Sequence, residues 1–186
     1  MNTETKFPII INLIGTPGAG KSTLAAYLFA KLKMLGVNCE QVTEFAKDKV
    51  WEENNVALSN QIYIFSKQYY RITRCEDKVD LIITDSPLVL SAFYNRDPEI
   101  HKPLCELIRK INDRYNNMYF FVKRIKRYNP NGRLQTERES DEMVPKLKKH
   151  LEDFGVNYEE IFGDLTSADI IIDRVLPFVK DKLFNY

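Results

Sequence analysis

One segment constrains this chain more than any other. It is Gly15-Thr16-Pro17-Gly18-Ala19-Gly20-Lys21-Ser22, set between an apolar run, Pro8 to Ile14, and a stretch of helical spacing that begins at Lys21. A strand, a loop of the form GxxxxGKS and a helix, in that order, make a phosphate-binding loop. Gly15, Gly18 and Gly20 are three of the seven glycines in the chain, and they allow close approaches that a Cβ would block. Gly15, Pro17, Gly18, Ala19 and Gly20 then form a cradle around the cofactor, in which the N–H groups of all but Pro17 can point inward, backed by the positive end of the following helix. Lys21 is expected to bridge β- and γ-phosphate oxygens, Ser22 to coordinate Mg2+, and Thr23 to add a contact to the α-phosphate. The expected cofactors are ATP and Mg2+.

The rest of the chain alternates β-rich runs with helical patterns, which predicts a parallel α/β sheet. Pro8 to Ile14 reads as a central strand covered on both faces. Further strands are expected over Asn38–Thr43, Leu81–Asp85, Met118–Val122 and Tyr158–Phe162. Helices are expected over Lys21–Leu35, Phe45–Trp51, Leu58–Cys75, Asp97–Tyr115, Asp141–Phe154 and Ala168–Leu183, with Ile62, Phe65, Tyr69 and Ile72 forming the stripe of the third. Five strands with right-handed crossovers imply a three-layer α/β/α sandwich. No repeat or composition shift divides residues 1–186, so a single domain is expected, with a polar lid at about 123–140.

Composition narrows the function classes. The chain is 44% hydrophobic and 28% charged with a net charge of +1, so no global field favours nucleic acid or membrane. The apolar run Ile9–Ile14 is interrupted by Asn12, is too short to cross a bilayer and lacks the basic start of a signal peptide. A cytoplasmic protein without a membrane partner is expected. Cys39, Cys75 and Cys105 are widely spaced and outside any CxxC, so free thiols are expected. His101 and His150 stand near no ligand cluster and read as surface residues. Nothing indicates an oligomeric state.

Two acids lie where strands end. Asp85 closes Leu81-Ile82-Ile83-Thr84-Asp85 and is expected to face the Mg2+ water shell, although it could also cap a helix starting near Pro87. No Glu follows it in Thr84-Asp85-Ser86-Pro87, against a hydrolytic motor. Glu44 ends the second strand, where a carboxylate could orient or deprotonate an acceptor hydroxyl, or stand solvated at a helix start. Gln61, Arg71 and Arg74 share a helix with Tyr63, Phe65, Tyr69 and Tyr70. An amide with aromatic rings suits a planar base, and such a stripe also suits a core. Trp51, the lone tryptophan, could wall the same pocket or pack.

Together these segments resemble the nucleoside and nucleotide kinase branch of P-loop proteins. More narrowly, they resemble NadR-type ribosylnicotinamide kinase domains and related small AAA-family kinases, many of them phage-encoded. The order Glu44, Trp51, Gln61, then Arg71 or Arg74 is also similar to deoxyribonucleoside kinases, in which the Glu serves as acceptor base. Those enzymes carry an ERS-like element where this chain has Asp85-Ser86-Pro87. Nucleotide kinases place an arginine-bearing lid after the fourth strand, and here that position holds Lys123-Arg124-Ile125-Lys126-Arg127-Tyr128 and, further on, Arg133. The resemblance thus implies that Arg124, Arg127 or Arg133 neutralises the transferring phosphoryl group, and Gly132 to Ser140 is similar to the lid of phage-encoded members. The same cations also suit a nucleic-acid backbone.

The expectation is an ATP- and Mg2+-dependent kinase acting on a small nucleoside- or nucleotide-like acceptor. A phage-type kinase acting on hydroxymethylated bases in DNA, in host cytoplasm, is the rival enzyme. A nucleotide-binding switch without an acceptor is the rival from another class. No NKxD motif is present, so GTP specificity is not expected.

Overall fold

The computed structural model describes residues 7–179. The apolar run forms β1 (Ile9–Ile14), buried along its whole length. It sits at the centre of a five-stranded sheet with β2 (Cys39–Val42), β3 (Leu81–Thr84), β4 (Asn116–Lys123) and β5 (Glu159–Phe162), in the order β2-β3-β1-β4-β5. All pairings are parallel, with Ile9 facing Leu81 on one side and Asn116 on the other. Parallel strands need crossovers, and those helices cover both faces, which is why β1 and β3 read as unbroken apolar runs.

Side-chain alternation along β1 divides the core. Ile9, Ile11 and Leu13 pack against α1 (Lys21–Met34) and α8 (Thr166–Val179), through Leu24, Leu28, Ala168, Ile171 and Val175. Ile10 and Ile14 face the opposite layer, where Phe65, Leu104, Ile108, Leu147 and Leu151 are buried. Each such side chain contributes about 1.5–3 kcal/mol by leaving water. Asn12 lies between Ile10 and Ile14, and its amide donates to Ile10 O (3.1 Å) and Asn117 Oδ1 (2.9 Å), so the one polar group in β1 is satisfied across to β4.

The second layer contains α4 (Gln61–Thr73), α5 (Val89–Tyr94), α6 (Pro98–Asn112) and α7 (Glu137–Phe154), while α2 (Phe45–Trp51) and α3 (Asn55–Ser59) lead into it. Three layers and five parallel strands are as expected, but several boundaries differ. The helix expected over Leu58–Cys75 is two, because Asn54 and Asn60 each turn a side-chain oxygen onto a backbone N–H, of Ala57 and Tyr63. Ile62, expected on the buried stripe, is 47% exposed, and Gln61, Ile64 and Gln68 are buried instead. Helix α7 starts at Glu137 and not Asp141, since Thr136 and Glu139 close a capping box, so the last residues of the expected lid are helical. The end of the closing helix expected to Leu183 lies outside the described residues. No described helix is long and apolar enough to cross a membrane. The three cysteines are free and buried.

This topology brings the carboxyl ends of β1, β3 and β4 to one edge. Strand order reverses around β1, and open α/β sheets bind ligands in the crevice at such an edge.

Candidate active site

The loop between β1 and α1 supplies the crevice floor. Gly18 and Gly20 take φ of 84° and 98°, in the left-handed region open to glycine. The left-handed Gly20 occupies the N-cap of α1 and no side chain caps that helix, so its first-turn N–H groups are left for a ligand. Ser22 and Thr23 stand exposed in that turn. Lys21 Nζ donates to Gly15 O (2.8 Å) and Thr16 O (3.2 Å), folding the side chain back along the loop.

Charges converge on Lys21. Burial pulls its pKa below the ordinary lysine value, the negative charges of Glu44 and Asp85 oppose that shift, and Arg133 and Lys47 add to it. Asp85 follows β3 directly and is 4% exposed. Its Oδ1 is buried without a hydrogen-bond partner among the described residues, and so is Nη1 of Arg133. An unpaired buried polar atom typically costs about 1–3 kcal/mol, more when charged, and native proteins retain few. Asp85 does not cap the next helix: Leu88 holds the N-cap of α5 and no side chain bonds there. A free carboxylate oxygen beside a phosphate loop is a hard donor of the kind Mg2+ takes, with phosphate and water completing its shell. Among the described residues no cluster of three or more His, Cys, Asp or Glu could hold a metal unaided.

Glu44 occupies the N-cap of α2, half-buried, with no capping hydrogen bond of its own. Burial raises its pKa, Lys21 pulls it down and Asp85 pushes it up. The Tyr94 hydroxyl is held far above its usual range, first by burial and then by the Glu44 charge. Gln68, 2% exposed, braces this corner. Its oxygen accepts from Phe45 N–H (2.9 Å), and its amide donates to Thr43 O (3.3 Å) and Thr84 Oγ1 (3.4 Å), tying together the strand ends that carry Glu44 and Asp85.

Residues 124–136 form the segment over the P-loop, and its cations divide. Arg124 is engaged by Glu137 (2.9 Å) and Asp141 on α7. Arg127 is exposed. Arg133 lies near Lys21, its guanidinium 5.3 Å from the Tyr128 ring centroid. Arg124 lies over the same ring, also at 5.3 Å. The ring itself rests on the loop: a Cβ on Gly18 would stand 2.7 Å from Tyr128 Cδ2. Beyond it, a Cβ on Gly132 would stand 2.5 Å from Trp51 Cζ2.

The acceptor-side candidates are less concentrated. Gln61 is buried and donates to Leu58 O (2.9 Å). Arg71 donates to Thr43 O (3.1 Å) and pairs with Asp48 (2.5 Å), while Arg74 is exposed at the end of α4. Phe65 and Tyr69 stack on each other in the second core, and Tyr70 is 66% exposed.

Three contacts escaped the sequence reading. Besides Gln68, the fully buried Ser140 donates from α7 to Pro17 O (2.7 Å) and lies 3.0 Å from Thr16 Oγ1. Gly163, after β5, donates its N–H to Lys123 O (2.9 Å) and packs so closely that a Cβ would stand 2.0 Å from Ala19 O. A glycine directly after an expected strand was the one signal available beforehand, and it does not name its partner.

A family described as AAA domain matches residues 10–167. A putative adenylate kinase of Methanococcus maripaludis (strain C7 / ATCC BAA-1331) is 34% identical over 76 residues, covering 38% of this chain and 42% of that protein. The crystal structure of NadR protein in complex with NR superposes with a TM-score of 0.71 at 20% identity, over 96% of this chain and 54% of that one. The chain thus spans about half the length of each protein. It belongs to the AAA-domain family and shares its α/β fold with the NadR structure.

Proposed function

We propose that this chain is an ATP- and Mg2+-dependent phosphotransferase that moves the γ-phosphoryl group to a hydroxyl of a nucleoside- or nucleotide-like acceptor. The observation that carries this reading is the pair of buried, unpartnered atoms, Asp85 Oδ1 and Arg133 Nη1, on two charged residues that both act on Lys21. One is suited to a cation and the other to a phosphate oxygen, and together with the P-loop they surround the place where phosphoryl charge would develop. The NadR and putative adenylate kinase likenesses support the same class.

In this reading the P-loop N–H groups and Lys21 hold the phosphates, and Lys21 leaves the carbonyls of Gly15 and Thr16 to do so. Mg2+, held by Ser22 and Asp85, would neutralise phosphate charge. Glu44 accepts the acceptor's proton as its oxygen bonds to the γ-phosphorus, and the bond from that phosphorus to the bridging oxygen breaks to release ADP. Arg133, not Arg124, is the arginine for the transferred group, because both sides of the Arg124 guanidinium are already taken by Glu137 and Asp141. Residues 123–140 serve as the lid of a single domain spanning residues 1–186, and excluding water is their second task.

The test is transfer of labelled γ-phosphate from ATP to nucleosides, nucleoside monophosphates, nicotinamide riboside, and plain and hydroxymethylated DNA. Label on a small acceptor supports the reading. Label only on hydroxymethylated DNA moves the acceptor to nucleic acid, and no labelled product with any of them refutes transfer.

A further inference from the structure

We propose that Trp51 is a positioning residue whose indole seats Gly132 and thereby places the Arg133 guanidinium against the P-loop. Residues 124–136 contain no helix or strand, so their placement depends on the points where they touch the body of the protein. Arg124 is anchored to α7 by two carboxylates, and Tyr128 rests on Gly18. Both points precede Arg133 in sequence, although the Tyr128 ring also lies 5.3 Å from its guanidinium and the Tyr128 hydroxyl donates to Gln135 O. The third point adjoins it: Gly132 lies on the six-membered ring of Trp51, where a Cβ would stand 2.5, 3.0 and 3.1 Å from Cζ2, Cε2 and Cη2.

The local backbone fits this role. Gly132 has φ +69°, and the turn around it is closed by Arg133 N–H to Pro130 O (3.2 Å) and Asn131 N–H to Asn129 Oδ1 (3.0 Å). A turn tip without a side chain can lie flat on an indole; any other residue would hold it off. The indole also gains a reason for its position, since Trp51 is 64% exposed and does not belong to either core. Trp51 ends α2, and Glu44 holds the N-cap position of the same short helix. One short helix therefore links the carboxylate of Glu44 and the seat beside Arg133, two groups whose charges both act on Lys21.

The arginine's task rests on the phosphotransferase reading, but the seat can be tested without it. Affinity for ATP with Mg2+ is measured by calorimetry for the wild type, Trp51→Ala, Trp51→Phe, Arg133→Ala and the Trp51→Ala/Arg133→Ala pair. With Arg133 present, Trp51→Ala is expected to weaken binding by roughly 2- to 100-fold, the span of coupling between residues that act together. With Arg133 removed it adds nothing, and Phe, which keeps an aromatic seat, restores most of the affinity. The same cycle on phosphate transfer lowers kcat more than it raises the KM of the acceptor. An equal loss in both backgrounds, or none with Arg133 present, overturns the proposal. If the wild type transfers no phosphate, the transferase reading fails and the calorimetric cycle still decides the role of Trp51.

Discussion

Replacing Gly163 with alanine isolates the support behind the P-loop. The added Cβ would stand 2.0 Å from Ala19 O and 3.2 Å from Ala19 C. Real Cβ atoms essentially never come nearer than 3.0 Å, so the gap must open by about 1 Å. Both sides are main chain, and no side chain can swing aside. Gly163 is also held by its N–H on Lys123 O, and Ala19 by its N–H on Thr16 O (3.2 Å). Overpacking of this kind costs about 1–3 kcal/mol, which in a chain of this size lowers Tm by roughly 2–12 °C. The larger effect falls on function, because a displacement near 1 Å in a phosphate site costs about 100-fold in transfer. Gly155→Ala is the control. Gly155 has φ +75° with nothing within 4 Å of its Cβ position, so alanine there meets only the left-handed backbone penalty of about 1 kcal/mol. Calorimetric melting and ATP titration on both variants separate the two effects. The reasoning is refuted if Gly163→Ala melts and binds ATP like the wild type, or if Gly155→Ala loses ATP affinity equally.

Two further variants probe the groups around the loop. Ser140→Ala removes the buried hydroxyl that donates to Pro17 O; it should cost about 1–3 kcal/mol in thermal melting and weaken ATP binding, and unchanged values in both would refute the brace. For Glu44 the pH dependence follows from its sign. Burial raises its pKa, the base works only when ionised, and transfer should therefore fall as pH drops through a value above the ordinary glutamate range. Glu44→Gln should abolish transfer while ATP still binds, and an intact rate with the same acid limb would sink the base assignment.

What could be read beforehand was what depends on near neighbours in the chain. A strand, GTPGAGKS and a helix determine one another locally; Asp85 was visible because it ends an apolar run, and Glu44 because it ends an expected strand. The capping box at Thr136 and Glu139 and the caps at Asn54 and Asn60 were also local, and those signals lost to longer-range patterns of polarity and periodicity. Ser140, Gln68 and Gly163 were hidden for a different reason. A serine or glutamine on a helix has no distinguishing pattern until the fold chooses its partner, and those partners, Pro17, Thr43 and Ala19, are far away in sequence. The arginines could not be ranked because Arg124 and Arg133 differ only in whether acids of α7 reach them.

The seat under Gly132 has an optical consequence. Trp51 is the chain's only tryptophan, so the protein's red-edge ultraviolet emission comes from one indole. That indole is 64% exposed, and the tip of the 124–136 segment covers part of the remaining face. Lifting the segment hydrates the covered face and moves the emission toward longer wavelength; settling it moves the emission back. The protein thus carries an intrinsic fluorophore at the contact between its two proposed substrate sides, and segment motion can be timed by stopped flow without attaching a dye.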